Sequence, residues 1–277
     1  MRLRRLGIIG SGAISSLLME ALARELAEPL ELVAVLGTET GAPRAAAALE
    51  PMIGIVATQI TAHWHVEELI ALEPELVVEC AGHAALREHG PKRLEAGIDV
   101  IAVSIGALAD PATKSGLEAA ATYSGARLVL SSGALGGIDV IAAARLAGVH
   151  SVVYTSRKPP QAWRDTPAEA LVDLANLTEQ IVFFEGDARE AATCYPKNAN
   201  VAAMIALAGP GFEATRVRLI ADPHASGNAH EIELRSACAD ASIRIVGKPM
   251  PDNPRTSTTT AYALAREVLN RTNAISI

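Results

Sequence analysis

Short apolar runs alternate with helical periods through the first half of the chain. Residues 6–9 form an apolar run that meets Gly10-Ser11-Gly12, and apolar positions then recur at helical spacing over 14–26 until Glu28-Pro29. Residues 30–36 (LELVAVL) read as a second strand, and 40–50 as an Ala-rich helix. A short strand over 53–60 and a helix over 66–72 follow, then a buried-looking strand at 76–80 (LVVEC). The helix 86–96 stops at Gly97 and leads into strand 100–103, helix 114–123 and strand 127–130. This strand–helix rhythm predicts an α/β domain over 1–133, built as a doubly wound parallel sheet.

Beyond residue 131 the texture changes. A run of small residues (SSGALGG, 131–137) precedes a helix at 138–146, and the segments 152–156, 217–221, 231–236 and 242–246 alternate apolar and polar residues as antiparallel strands do. The pattern predicts a second, mixed α/β (α+β) domain over 134–254. A final helix, 258–269, follows Pro249, Pro251 and Pro254, and the segment 255–277 is expected to pack back on the first domain.

Composition narrows the classes. The chain has 277 residues, half of them apolar, with only 3% aromatic, so Ala, Leu and Val fill the cores. That suits helix-on-parallel-sheet packing. A net charge of −7 argues against a general nucleic-acid surface. Cys80, Cys194 and Cys238 are widely spaced with no CxxC, as in a reduced, cytoplasmic protein. The basic start MRLRRLGIIG breaks at glycines after about four apolar residues, too short for a signal peptide. No stretch approaches the ~18 apolar residues of a membrane span.

The first turn carries the first candidate chemistry. A strand, two close glycines and a helix start form a cradle for a diphosphate. Gly10 turns the backbone, Gly12 allows close approach, and the N–H groups around Ala13 and Ile14 face the anion. Ser15 stands where the full G-x-G-x-x-G fingerprint wants a third glycine. This predicts a Rossmann dinucleotide site. After the second strand the chain offers Gly37-Thr38-Glu39, with Arg44 nearby, so an acid for the NAD ribose and a cation for the NADP phosphate are both available and the choice stays open. His83, after the 76–80 strand, is a candidate for lining the nicotinamide pocket. His63 and His65 flank Trp64 without a third ligand nearby and read as a surface loop rather than a metal site.

Three polar clusters mark the second domain: 154–160 (YTSRKPP), with Arg157 and Lys158; 195–202 (YPKNANVA), with Lys197 and Asn200 at the start of an apolar helix; and 222–231 (DPHASGNAHE). Each also has a plain reading, as a solvated cation pair, a helix cap, and loop or strand-surface histidines. His230 alternates with Ile232 and Leu234 and so shares their face. A histidine there needs a partner or a task, and a dehydrogenase needs a group near neutral pKa to manage a proton, which histidine supplies without a large shift.

Taken together, GSGAI, VVECAGHAA, VSIGAL, SSGALGGID, YTSRKPP, YPKNANVAA, DPHASGNAH, GKP and NPRTS resemble the L-aspartate dehydrogenases nearly end to end. The resemblance implies a Rossmann domain plus a mixed domain that supplies the substrate site and the contact of a homodimer. It implies reversible conversion of L-aspartate to oxaloacetate and ammonia through iminoaspartate with NAD or NADP, and a link to pyridine nucleotide biosynthesis. It places the catalytic histidine at His230 and cofactor contacts at Ala134 and Asn200. Lys197 is the first choice for a substrate carboxylate, with Arg157 and Lys158 behind it. Gly10 and Gly12 are expected to share one groove with Ala134, Asn200 and His230. The competing readings are another Rossmann oxidoreductase, of the homoserine or semialdehyde dehydrogenase kind, and a nicotinamide-dependent sensor without turnover. A phosphorylating semialdehyde dehydrogenase needs a nucleophilic cysteine, and only Cys80 is placed for it.

Overall fold

A computed structural model describes residues 3–196, 199–250 and 253–276. The chain divides into two compact units, residues 1–133 with 260–277, and residues 134–259.

The first unit is a parallel sheet of β1 (Arg5–Ile9), β2 (Leu30–Leu36), β3 (Ala57–His63), β4 (Leu76–Glu79), β5 (Asp99–Ala102) and β6 (Leu128–Leu130). Their order, β3-β2-β1-β4-β5-β6, is the doubly wound Rossmann arrangement, whose direction reverses between β1 and β4. The helices are α1 (Ala13–Glu25), α2 (Gly41–Leu49), α3 (Val66–Ala71), α4 (His83–Glu95) and α5 (Pro111–Ser124). The strands are nearly continuous apolar runs because helices cover both faces. Leu6, Ile8, Val33, Val35 and Val78 pack with Leu18 and Leu22 of α1. Leu264, Ala265 and Val268 of the final helix join the same core.

Local chemistry sets the helix ends. The Asp110 carboxylate accepts from Ala112 N and Thr113 N, Pro111 occupies the first turn, and Gly125 closes α5 in the left-handed region at φ 80°. The third strand departs from expectation. The pattern placed it at 53–60, but pairing with β2 runs from Ala57 to His63, and 3-10 and turn structure occupies residues 50–56. Pro51 and Gly54 interrupt the apolar run and delay strand entry.

The second unit is a five-stranded sheet in the order β11-β10-β7-β9-β8. The strands are β7 (Val149–Lys158), β8 (Ile181–Asp187), β9 (Thr215–Ala221), β10 (Asn228–Ser236) and β11 (Asp240–Gly247). All neighbours are antiparallel except β7 and β9. Helices α6 (Ile138–Ala147), α7 (Ala188–Cys194) and α8 (Asn200–Ala208) pack on the sheet, and α6 touches α8 where Gly209 approaches Ile141. The strand β8 has no counterpart in the sequence reading, because IVFFEGD shows no clean alternation and follows a long irregular segment. A capping box, with Asp187 accepting from Glu190 N and Glu190 accepting from Asp187 N, turns it directly into α7. A small two-stranded ribbon, β12 (Pro249–Met250) with β13 (Asn253–Ser257), precedes α9 (Thr258–Leu269).

Candidate functional site

In the first unit, the β1–α1 turn sits at the switch point, since Gly10 N donates to Leu36 O at 2.8 Å and Cys80 N donates to Ile9 O at 2.9 Å. Gly10 is required on two counts. Its φ is +122°, and a Cβ there would stand 3.0 Å from the Cys80 carbonyl carbon and 3.1 Å from Ala81 N. Gly12 is exposed, with open space where its Cβ would be, and it begins α1 without a side-chain cap or an acidic residue in the first turn. The N–H groups of Ala13 and Ile14 belong to that uncapped turn, the chemistry a diphosphate needs. Ser15 is buried where the fingerprint wants glycine, so serine fits the helix–strand contact. The residues present therefore fit a dinucleotide. At the end of β2, Gly37 leaves room for the Ser11 hydroxyl, 2.8 Å from where a Cβ would lie, while Glu39 and Arg44 are both exposed.

Sequence reasoning missed Glu79. This fully buried carboxylate ends β4 and accepts hydrogen bonds from Ala81 N at 2.8 Å, Gly82 N at 2.9 Å, Ser104 N at 3.2 Å and Ser104 Oγ at 2.8 Å. Burial pushes its carboxyl up, and the four donors oppose that shift. It ties together the loops leaving β4 and β5 at the sheet's carboxyl edge, where ligands bind in such folds. The available signal was an acid closing an otherwise apolar strand. Beside it, burial and then the Glu79 charge push the Cys80 thiol up, away from the thiolate a nucleophile needs. His63 Nδ1 pairs with Glu68 Oε2 at 3.1 Å, and no group of three metal-ligating side chains occurs among the described residues. His83 opens α4 directly after Gly82.

In the second unit, β10 presents His230 on the helix-covered face of the sheet. Its neighbours follow from register: Ser156 lies directly opposite on β7, Ile245 directly opposite on β11, and Tyr154 and Lys158 stand two positions to either side of Ser156. His230 is 5% exposed, and its Nδ1 lies 2.8 Å from the Tyr154 hydroxyl, with the rings stacked at 17°. Lys158 is 6% exposed, and its Nζ lies 4.9 Å from the centre of the Trp163 ring, itself held by a bond from Nε1 to Ile220 O at 3.1 Å.

This environment corrects two expectations. His230 does not keep an ordinary pKa: burial first, and then the Lys158 charge, push it from 6.5 to about 3, so the imidazole is neutral at pH 7. Nor are Arg157 and Lys158 one solvated pair, since adjacent strand residues point to opposite faces. Arg157 lies on the far face, committed to Asp222 Oδ2 at 3.3 Å, Glu231 Oε1 at 3.6 Å and Gln180. Lys158 shares the His230 face, and burial pushes it down to about 8.

Ala134 and Asn200 belong to the same unit as His230. Gly136, two residues beyond Ala134, has its Cβ position 3.4 Å from Ile245, the β11 partner of His230. Asn200 opens α8. The connection 209–214 joins the C-terminal end of that helix to the start of β9. Lys197 lies outside the described residues. The structure thus groups Gly10, Gly12, Ala13 and Ile14 in one unit, and Ala134, Asn200 and His230 in the other.

A Rossmann sheet with an open, uncapped glycine turn defines the class as a dinucleotide-binding protein. Residues 10–131 match the family described as homoserine dehydrogenase, NAD binding domain, and residues 139–271 match aspartate dehydrogenase, C-terminal. An L-aspartate dehydrogenase of Ralstonia nicotianae is 46% identical over 272 residues, covering 98% of both chains, and one of Cupriavidus taiwanensis is 52% identical over 204 residues, 74% of this chain and 77% of its own. The crystal structure of aspartate dehydrogenase from Thermotoga maritima, 26% identical, superposes with a TM-score of 0.74 over 99% of both chains. The chain belongs to the L-aspartate dehydrogenase family. A homoserine dehydrogenase from a hyperthermophilic archaeon, 11% identical with a TM-score of 0.55, shares the fold.

Proposed function

We propose that this chain catalyses the reversible NAD(P)-dependent oxidative deamination of L-aspartate to oxaloacetate and ammonia. The observation that carries the reading is His230, buried and hydrogen-bonded to Tyr154 beside a buried lysine, in a chain of this family. A nicotinamide nucleotide, when bound, would supply the hydride acceptor for Cα of the substrate. Gly10, Gly12, Ala13 and Ile14 would hold its diphosphate, and on family grounds Ala134 and Asn200 would contact it. His230 acts on protons. Neutral at pH 7, it takes a proton from the water that adds to the imine carbon of iminoaspartate, and returns that proton in the reverse direction. The Tyr154 hydroxyl fixes the ring plane by its bond to Nδ1, and burial, which pushes its phenol up, keeps that hydroxyl neutral. A substrate carboxylate next to Lys158 cancels part of the field that depresses His230, so binding raises the basicity of the imidazole when it is needed. On family grounds the enzyme acts as a homodimer on this small-molecule substrate, in the cytoplasm.

The semialdehyde alternative is disfavoured by the state of Cys80, the only cysteine at a strand end, whose thiol burial holds protonated. A His230→Ala variant is expected to bind NADH within twofold of the parent and to lose about 100-fold or more in turnover of oxaloacetate with ammonia, the scale of a lost general acid–base. Unchanged turnover would remove His230 from the reaction.

A further inference from the structure

The β7 strand sets three polar side chains on the His230 face in succession: Tyr154, Ser156 and Lys158. The first is used by His230 Nδ1. Ser156, directly opposite His230, is 1% exposed. Its hydroxyl draws the Tyr154 phenol down against the larger effect of burial, yet makes no hydrogen bond of acceptable geometry with any described group. A buried hydroxyl in that state has a donor to offer to something that enters. Lys158, the last residue of the strand, is a cation kept off bulk water beside the Trp163 ring. An ammonium and a hydroxyl at i and i+2 on one strand face, across from a histidine, suit two oxygens of one carboxylate. Arg157 cannot take that part, because it lies on the other face between two carboxylates.

We propose that Lys158 and the Ser156 hydroxyl hold one carboxylate of the dicarboxylic substrate against His230, which makes Lys158 the residue that selects substrates with a carboxylate at that position. This rests on the aspartate–oxaloacetate reading of the site. The ammonium donates to one carboxylate oxygen and the serine hydroxyl to the other, and no covalent step is involved. The pH dependence follows. Lys158 must be charged to bind, so dicarboxylate affinity is full below about 8 and falls as pH rises through that value.

Succinate, a dicarboxylate that cannot be aminated, is the probe, read as an inhibitor of NADH oxidation by oxaloacetate and ammonia and as a direct ligand of the NADH-loaded protein. Lys158→Met is expected to raise the KM for oxaloacetate and the succinate Kd at pH 7 by at least tenfold, while NADH affinity stays within twofold. The succinate Kd of the parent rises about fivefold between pH 8 and 9, and that of the variant stays flat. Ser156→Ala is expected to weaken succinate several-fold without altering the pH midpoint. A Lys158→Met protein that binds NADH normally and succinate within twofold of the parent overturns the assignment, leaving Lys158 a packed residue on Trp163. A parent that oxidises no NADH with oxaloacetate and ammonia overturns instead the reading on which this one stands.

Discussion

At the scale of single residues, the chemistry depends on which side of a strand each group falls. His230 was legible in the sequence because it alternates with Ile232 and Leu234, which fixes its face once the strand exists. What it meets there was not legible, since Tyr154 and Lys158 are more than seventy positions away and arrive through β7–β10 pairing. The depressed pKa of His230 has a thermodynamic consequence. The unfolded chain binds a proton between the ordinary 6.5 and about 3 that the folded chain refuses, so stability rises with pH across that window and is lost as pH falls through it. Compared with a His230→Gln variant, the parent is expected to lose roughly 3 kcal/mol more unfolding free energy between pH 6.5 and pH 4. Urea unfolding at the two pH values checks this, and equal losses would show that His230 titrates normally.

At the scale of elements, periodicity located most strands and helices, and their ends were set by chemistry of shorter range. The segment 30–36 is a strand throughout because its apolar run is bounded by Pro29 and Gly37. The third strand slipped because the apolar residues 53–56 sit in turn structure around Gly54. The strand β8 went unread because an uninterrupted apolar run carries no face signal. Glu79 shows the converse, a single acid at the end of an apolar strand that organises two loops. Replacing it by alanine leaves three N–H groups and a hydroxyl without their acceptor. Glu79→Ala is expected to cost roughly 3 kcal/mol or more in stability and to weaken NADH at least tenfold. Thermal unfolding and NADH fluorescence titration measure the two effects, and unchanged NADH affinity would show that these loops do not form the cofactor site.

At the scale of the whole chain, the order of elements says where a dinucleotide rests and little about the reaction. The first unit is built like those of many dehydrogenases, as its match to a homoserine dehydrogenase NAD binding domain shows. On the proposed reading the second unit carries the choice of chemistry, because the His230 face is assembled from β7, β10 and β11. No described helix is long and apolar enough to cross a membrane. The central claim is the pairing of substrates, and absorbance at the NADH band tests it most directly. The account predicts that NADH is consumed when oxaloacetate and ammonia are both present, that aspartate accumulates in equal amount, and that neither oxaloacetate alone nor aspartate semialdehyde supports the reaction. Oxidation of NADH with aspartate semialdehyde, or none with oxaloacetate and ammonia together, would contradict it.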